Sequence, residues 1–458
     1  MTDTTEEVIL AHIAGQRIFF STQQTKDIGF RLEQLNKLKQ IIIKNEEEIQ
    51  QALWMDLHKS PEEAYLTEIS IVLGEIENHI KHLKKWAAPK KVSTPIHLLP
   101  SSSKILFEPL GLALIVSPWN YPFQLIINPL IGSISAGCCS ILKPSPDTPN
   151  VAQLVEKMIS ENFDSNYICV VQGGKETNTI LLAQSFDIIF FTGSPKVGKV
   201  VMKAAAENLT PVILELGGKS PCIVDADADI DIAAKRITWG KLINAGQTCI
   251  APDYLFAHES IKDELLSKIA ANIQSMYGDN LKQSRFYGRI INDSAFERLT
   301  GLLKQGKIHT GGNVDADERF ISPTIIDEVK PEFLIMQGEI FGPILPVMTF
   351  KKIDEAIEYI NQNEKPLAFY YFGKDKKAKE VLAKTTSGGA CVNDTLLQIG
   401  NHHLPFGGVG NSGMGSYHGK RSFLAFSHKR AVFTSPTWFD LSAKYIPFKY
   451  FKLIKKFI

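Results

Sequence analysis

No two cysteines in this sequence are spaced C-x-x-C, no apolar run approaches the roughly 20 residues that cross a bilayer, and neither sign of charge prevails. Each absence excludes a class. The six cysteines, at 138, 139, 169, 222, 249 and 391, sit mostly inside apolar runs such as GCCSILKP and YICVVQGG. That argues against a disulfide framework or a zinc cluster and fits a reducing compartment, with no metal expected. A formal net charge of +1 gives no global electrostatic case for nucleic acid. The opening MTDTTEEVILAHIAG is acidic first and lacks the basic-then-apolar order of a secretion signal, so the expectation is a cytoplasmic protein.

What is present is the composition of a large globular chain, 44% hydrophobic and 22% charged over 458 residues, enough for about two or three domains. Residues 27–88 carry apolar side chains at helical spacing with charges between them. Apolar strands follow at 113–118, 140–144, 167–174, 187–194 and 212–218, separated by helical stretches such as VAQLVEKMISENF and KVVMKAAAENL. Continuous apolar strands alternating with helices predict a parallel sheet covered on both faces. After Asp225 the pattern restarts with helices at 228–244 and 259–277 and an αβ unit at 332–385, closed by Gly/Asn-rich loops at 387–415.

The expected organisation is thus α/β: a Rossmann-like parallel-sheet domain at 1–88 and 110–215, and a second α/β domain at 216–425. A small β element at 89–109 and 426–437 would project as a hairpin, and 438–458 would form a tail. Drawn as a helix, FKYFKLIKKFI (448–458) puts Lys449, Lys452, Lys455 and Lys456 on one face, with apolar side chains opposite. A basic amphipathic helix of this kind suits an anionic membrane surface. Docking on the protein body or a partner, and plain disorder, remain alternatives.

Four segments carry candidate chemistry. In NAGQTCIAP (244–252), Cys249 follows small and polar residues that allow close approach, although a free cysteine is more often buried structure. In LELGGKSP (214–221), Glu215 stands in an apolar strand before paired glycines. Such a carboxyl has a raised pKa and can act as a general base; the alternative is a strand-end Glu that caps the loop that follows. SPWNYPF (117–123) offers Asn120, a neutral amide donor suited to an oxyanion, in a context where a turn-forming Asn is also ordinary. FFTGSPKVG (190–198) runs from a strand through Gly193 and Ser194 to Gly198 at a helix start, without the G-x-G-x-x-G spacing at that turn.

These segments occur in one order with LKPS (142–145), EIFGP (339–343) and PFGGVGNSGMG (405–415), and together they resemble the aldehyde dehydrogenase superfamily from about residue 25 to residue 430. The PWNYP form and the short lead-in before it resemble the class 3 branch. The resemblance implies Cys249 as nucleophile, Glu215 as the base that hydrolyses a thioester, and Asn120 with the Cys249 N–H as oxyanion donors. It implies that Lys143 bonds an adenosine ribose, that Gly193, Ser194 and Gly198 lie near a pyrophosphate, and that Glu339 and Phe341 hold the nicotinamide end. Tyr121 and Phe406 would line the substrate pocket.

Where the NAD-preferring pattern has a Glu three residues after the lysine, this sequence has Pro146, followed by Asp147. A lowered barrier to NADP follows, with dual use or an NADP preference, unless Asp147 takes the ribose hydroxyl. The apolar loop 394–404, with His402 and His403, suggests a hydrophobic medium- or long-chain or aromatic aldehyde. A homodimer through 93–109 and a strand near 430–435 rests on the resemblance alone. The rival readings are a CoA-acylating relative, which usually lacks the base; a catalytically silent protein on the same fold; and a cysteine hydrolase, for which no histidine has a suitable motif.

Overall fold

The computed structural model describes residues 3–456 and has two parallel-sheet layers and a three-stranded antiparallel ribbon. In the first sheet, Leu112–Val116 lies at the centre, flanked by Cys139–Lys143 and then Ile168–Val170 on one side. Ile188–Gly193 and then Val212–Leu216 lie on the other side. The chain winds outward in one direction, returns to the middle and winds out in the other. Leu112–Val116 and Ile188–Gly193 therefore diverge at their C-terminal ends, and a doubly wound sheet opens its ligand crevice there. Residues 117–120 and 193–194 occupy those two ends.

The five strands match the apolar runs expected from sequence because both faces of the sheet are covered. Helix Gln124–Ala136 is buried at every position, packed between the sheet and the helices Ile28–Lys44, Ser70–Ala87 and Lys420–Ala425. Its lack of a polar face follows from that position. Helix Glu6–Ser21, unassigned in the sequence reading, also covers the sheet; it buries Ile9 and Ile13, and its Gln16 amide donates to Ser140 O at 3.0 Å.

The second sheet has seven strands in the order Lys307–Thr310, Thr324–Asp327, Ile344–Phe350, Tyr254–His258, Pro221–Val224, Ala368–Phe372 and Gly389–Val392. All neighbours are parallel except the first pair. The expected helices appear as Ile230–Leu242 and Lys262–Tyr277.

Residues 387–415 are not all loop, contrary to the expectation. Gly389–Val392 pairs with Ala368–Phe372, and Gly413–Met414 returns to the first sheet, antiparallel to Leu214 and Glu215. Backbone pairing carries both strands, so their glycine-rich composition concealed them.

In the ribbon, Ser102–Pro109 pairs on one edge with Lys90–Val92 and on the other with Ser427–Thr434. The segments 93–109 and 426–437 thus meet each other. Beyond them the continuous helix drawn over 448–458 does not form in the described residues. Pro447 has no N–H to donate, Phe448 takes φ +53°, and only the single turn Phe451–Ile454 is helical. Phe457 and Ile458 lie outside the described residues. Among the described residues no helix is long and apolar enough to cross a membrane.

Candidate active site

Cys249 follows a tightly bent turn. Helix Ile230–Leu242 ends and the chain passes through Asn244, Ala245 and Gly246 at φ +52°, +51° and +75°. Left-handed conformation at two consecutive non-glycine residues costs about 1–3 kcal/mol each and persists only where the surroundings impose it. Here they do. Glu63 Oε1 accepts from the Asn244 N–H at 2.7 Å, and Asn244 Nδ2 donates to Asn120 O at 2.7 Å. Gln247 Nε2 donates to Arg289 O at 2.9 Å while its Oε1 accepts from the Ile291 N–H at 3.0 Å. Gly246 is required on a second ground: a Cβ there would stand 2.3 Å from Gly342 O in the EIFGP segment.

The crevice loop after Leu112–Val116 faces this turn. Asn120 Nδ2 donates one hydrogen to Gln247 O at 3.1 Å, and Tyr121 Oη shares a 2.6 Å bond with Thr248 Oγ1. The turn before Cys249 and the Asn120 amide are therefore fastened to each other. Glu215 enters from the edge of the first sheet, paired with Thr192 on one side and Gly413 on the other. Its side chain is buried, and neither carboxyl oxygen has a hydrogen-bond partner.

That environment sets the acidities. Burial pushes the Glu215 carboxyl well above the usual carboxylate range, because it disfavours the ionised form. A carboxyl that serves as a base must be partly ionised, and at Glu215 ionisation has to come with water reaching the carboxyl. Burial, reinforced by the charges of Glu339 and Glu215, raises the Cys249 thiol to about 12, with the Cys249 and Ile250 N–H groups opposing the rise. Glu339 is raised to about 8 by burial and the charge of Asp253. It lies against the Gly217 backbone, where a Cβ would stand 2.1 Å from its Oε2.

All of these line one apolar cavity of ≈ 810 Å³, together with Tyr121, Gly193, Ser194, Phe341 and Phe406. Two expected cofactor residues lie outside it. Gly198 packs under Leu216, where a Cβ would stand 2.7 Å from Cδ2, so its role is close packing of helix Pro195–Glu207 on the sheet. Lys143 ends the neighbouring strand, buried, its ammonium donating to Pro144 O at 2.8 Å. Burial lowers it to about 8.

In the 394–404 loop, Leu396, Leu397, Ile399 and Gly400 line the cavity, but the two histidines do not. His402 Nδ1 meets the buried Glu75 at 2.8 Å, and both histidines border a separate cavity of ≈ 450 Å³. A buried carboxylate recruited His402, and nothing local in the sequence signals that partner.

Sequence reasoning missed Glu63, which grips the turn before Cys249, and Arg298, whose Nη2 donates to Ile340 O at 2.7 Å beside Glu339. Phe341 at φ +53°, edge-on to Trp119 at 5.3 Å, marks the same segment as strained.

A dinucleotide fits these residues. Ser194 caps the 13-residue helix Pro195–Glu207, whose N-terminal N–H groups favour a phosphate. Thr192 Oγ1, lining the cavity, is buried without a partner, and Glu339 offers its carboxyl to a ribose. Next to Lys143, Pro146 supplies no acid; Asp147 is exposed and 3.4 Å from Asn292 Nδ2.

Residues 2–432 match the model of the aldehyde dehydrogenase family. A 4,4'-diaponeurosporen-aldehyde dehydrogenase of Staphylococcus aureus is 50% identical, covering 96% of this chain and 97% of that protein. A dimeric NADP-preferring aldehyde dehydrogenase of Canis lupus familiaris is 46% identical over 93% and 95% of the two chains. The solved structure titled as the substrate-bound state of Staphylococcus aureus AldH superposes with a TM-score of 0.96, at 49% identity over 98% of this chain and 99% of that one.

A thiol raised to about 12 is almost wholly protonated at neutral pH. Alkylation of Cys249, followed by mass spectrometry, should therefore be slow at pH 7 and climb steadily to pH 10. Glu339→Gln removes the charge that raises the thiol most after burial, and should speed the reaction above about pH 8, where Glu339 is ionised, with little effect at pH 7. Fast labelling that does not change with pH would contradict this electrostatic account.

Proposed function

The chain belongs to the aldehyde dehydrogenase family, and from that premise we propose that Cys249 is the nucleophile, Glu215 the general base and Asn120 the oxyanion donor. The protein carries out NAD(P)-dependent oxidation of an aldehyde. The observation that carries the residue assignment is the meeting of three groups in one apolar cavity: the Cys249 thiol, the unpartnered Glu215 carboxyl and the Asn120 amide.

Cys249 loses its thiol proton to water, and the resulting thiolate bonds the aldehyde carbon as the carbonyl electron pair moves onto oxygen. Asn120 Nδ2 has one hydrogen on Gln247 O, leaving the other for the oxyanion that forms, with the Cys249 N–H as second donor. A bound NAD(P)⁺ would supply the hydride acceptor for that carbon, which would leave Cys249 holding a thioester. Glu215 then takes a proton from water as the water oxygen attacks the thioester carbonyl; the carbon–sulfur bond breaks, releasing the carboxylic acid and regenerating the Cys249 thiolate. Glu339 would hold the nicotinamide ribose, with Phe341 packing nearby; Lys143 would hold the adenosine ribose and Ser194 the pyrophosphate.

The substrate reading is a hydrophobic aldehyde, supported by the cavity wall of Leu66, Leu125, Trp239, Phe286, Leu397 and Phe406. The relative named for 4,4'-diaponeurosporen-aldehyde agrees with it. The absence of an acid at Pro146 supports NADP use, as does the NADP-preferring relative. That relative's name and the exposed ribbon around Ser427–Thr434 also support a homodimer. Exposed Trp438, Ile446, Phe448 and Phe451 beside Lys444, Lys449 and Lys452 support contact of residues 444–458 with an anionic membrane surface.

Cys249→Ala should lose aldehyde-dependent NAD(P)H formation, whereas Glu215→Gln should form about one equivalent per site and then turn over about 10²–10⁴-fold more slowly. Unchanged turnover in Cys249→Ala would remove the nucleophile. In steady-state rates with both cofactors and a series of straight-chain aldehydes, kcat/KM should grow with chain length. A preference for NAD of several hundredfold would refute the Pro146 argument, and a preference for the shortest aldehydes the apolar-cavity one. Truncation after residue 443 should abolish co-sedimentation with anionic vesicles while light scattering still gives a dimer mass. Equal vesicle binding by both forms would clear the tail, and a monomer mass in the full-length protein would refute the dimer.

A further inference from the structure

Lys59 and Glu68 are fully buried and joined at 2.6 Å. Replacing a buried ion pair with apolar side chains is often neutral or stabilising, so stability alone does not explain its presence. Its hydrogen bonds are specific. Lys59 Nζ also donates to Asn120 O at 2.9 Å and stands 3.9 Å over the Tyr121 ring. Glu68 Oε2 accepts from the N–H groups of Phe123 and Gln124 at 2.9 and 3.1 Å, at the start of helix Gln124–Ala136. The pair therefore grips the crevice loop on both sides of Tyr121.

The elements that present the pair are irregular. Lys59 follows His58, which ends helix Glu46–Leu57 at φ +57°, and Glu68 lies in the π-helical turn Tyr65–Ile69. Such turns are frequent at functional sites. The Asn120 carbonyl that Lys59 holds is the one that Asn244 Nδ2 also bonds, at 2.7 Å. A single oxygen thus ties the ion pair, the amide donor and the turn that precedes Cys249.

We propose that Lys59 and Glu68 are positioning residues that fix the Asn120 amide against the oxyanion formed at Cys249. They touch no reacting atom and act through the backbone at residues 120–124. The proposal rests on Asn120 being the oxyanion donor.

A double-mutant cycle in the full-length protein tests it. Lys59→Met with Glu68→Met removes both charges together, which avoids leaving one of them buried alone. Misplacement of a catalytic group by about 1 Å can cost on the order of 10²-fold in rate. The double variant should therefore lose kcat/KM for aldehyde on that order, with the binding constant for the oxidised cofactor, read by fluorescence titration, unchanged. Added to Asn120→Ala, the same two substitutions should cost less than about threefold, because the donor they position is already gone.

An equal loss in both backgrounds, or no loss in the wild-type background, overturns the positioning role. An Asn120→Ala enzyme with the wild-type rate overturns the oxyanion assignment itself and the positioning role with it. Should the paired Met variant fail to fold, Lys59→Arg takes its place: it keeps the charge but alters the grip on Asn120 O, and its loss should likewise disappear when Asn120 is Ala.

Discussion

Everything at this site depends on the placing of acids in an apolar cavity where ionisation is costly. Cys249, Glu215 and Glu339 all have raised pKa values, burial being the first cause for each, and the charges of the two carboxylates raise the thiol further. A cation against the sulfur would lower the thiol but would hold it as an ion pair. The chain instead presents neutral donors: the Asn120 amide and the N–H groups of Cys249 and Ile250. Neutral dipoles in a dry cavity favour a charge that appears during reaction over one that is always present. Of the three cations near Glu339, Lys219 is committed to Asp253 and Arg298 to the Ile340 carbonyl, while the buried Lys241 ammonium has no hydrogen-bond partner and burial lowers it to about 8.

That choice places its demands on the backbone. With no charged anchor at the sulfur, precision comes from the left-handed turn at 244–246 and from the amide and carbonyl bonds that hold it to the crevice loop. The doubly wound sheet supplies the loop and the Gly193 turn from adjacent strands, the strand Val212–Leu216 supplies Glu215, and the first helix of the second layer delivers Cys249. Four chemistries converge because four chain segments end at the same seam.

The five parallel strands of the first sheet were legible because burial on both faces leaves continuous apolar runs, and Cys249, Glu215 and Asn120 were legible as candidates because their order and motifs resemble a family. Gly389–Val392 and Gly413–Met414 were illegible because their pairing uses backbone and leaves no side-chain periodicity. Lys59 and Glu68 read in sequence as two more charges near amphipathic helices, where solvation is the usual fate; only their contact with a loop about 60 residues away shows otherwise. His402 failed in the opposite sense. Proximity in sequence to cavity-lining leucines suggested a place in the pocket, and Glu75, over 300 residues earlier, took it. Local pattern reports burial well and partners poorly.

The return of Gly413–Met414 to the sheet edge has a topological consequence. Glu215 and Gly413 face each other across one register pair, so almost the whole second layer is a chain excursion that leaves and rejoins the first layer at the base. Both ends of that excursion are pinned beside Glu215. A rigid rotation of the second sheet would sweep its far strands through the largest arc and displace the base least. The Glu215 carboxyl, proposed above as the base, thus sits at the hinge line of that excursion, beside the point where the two layers are fastened together.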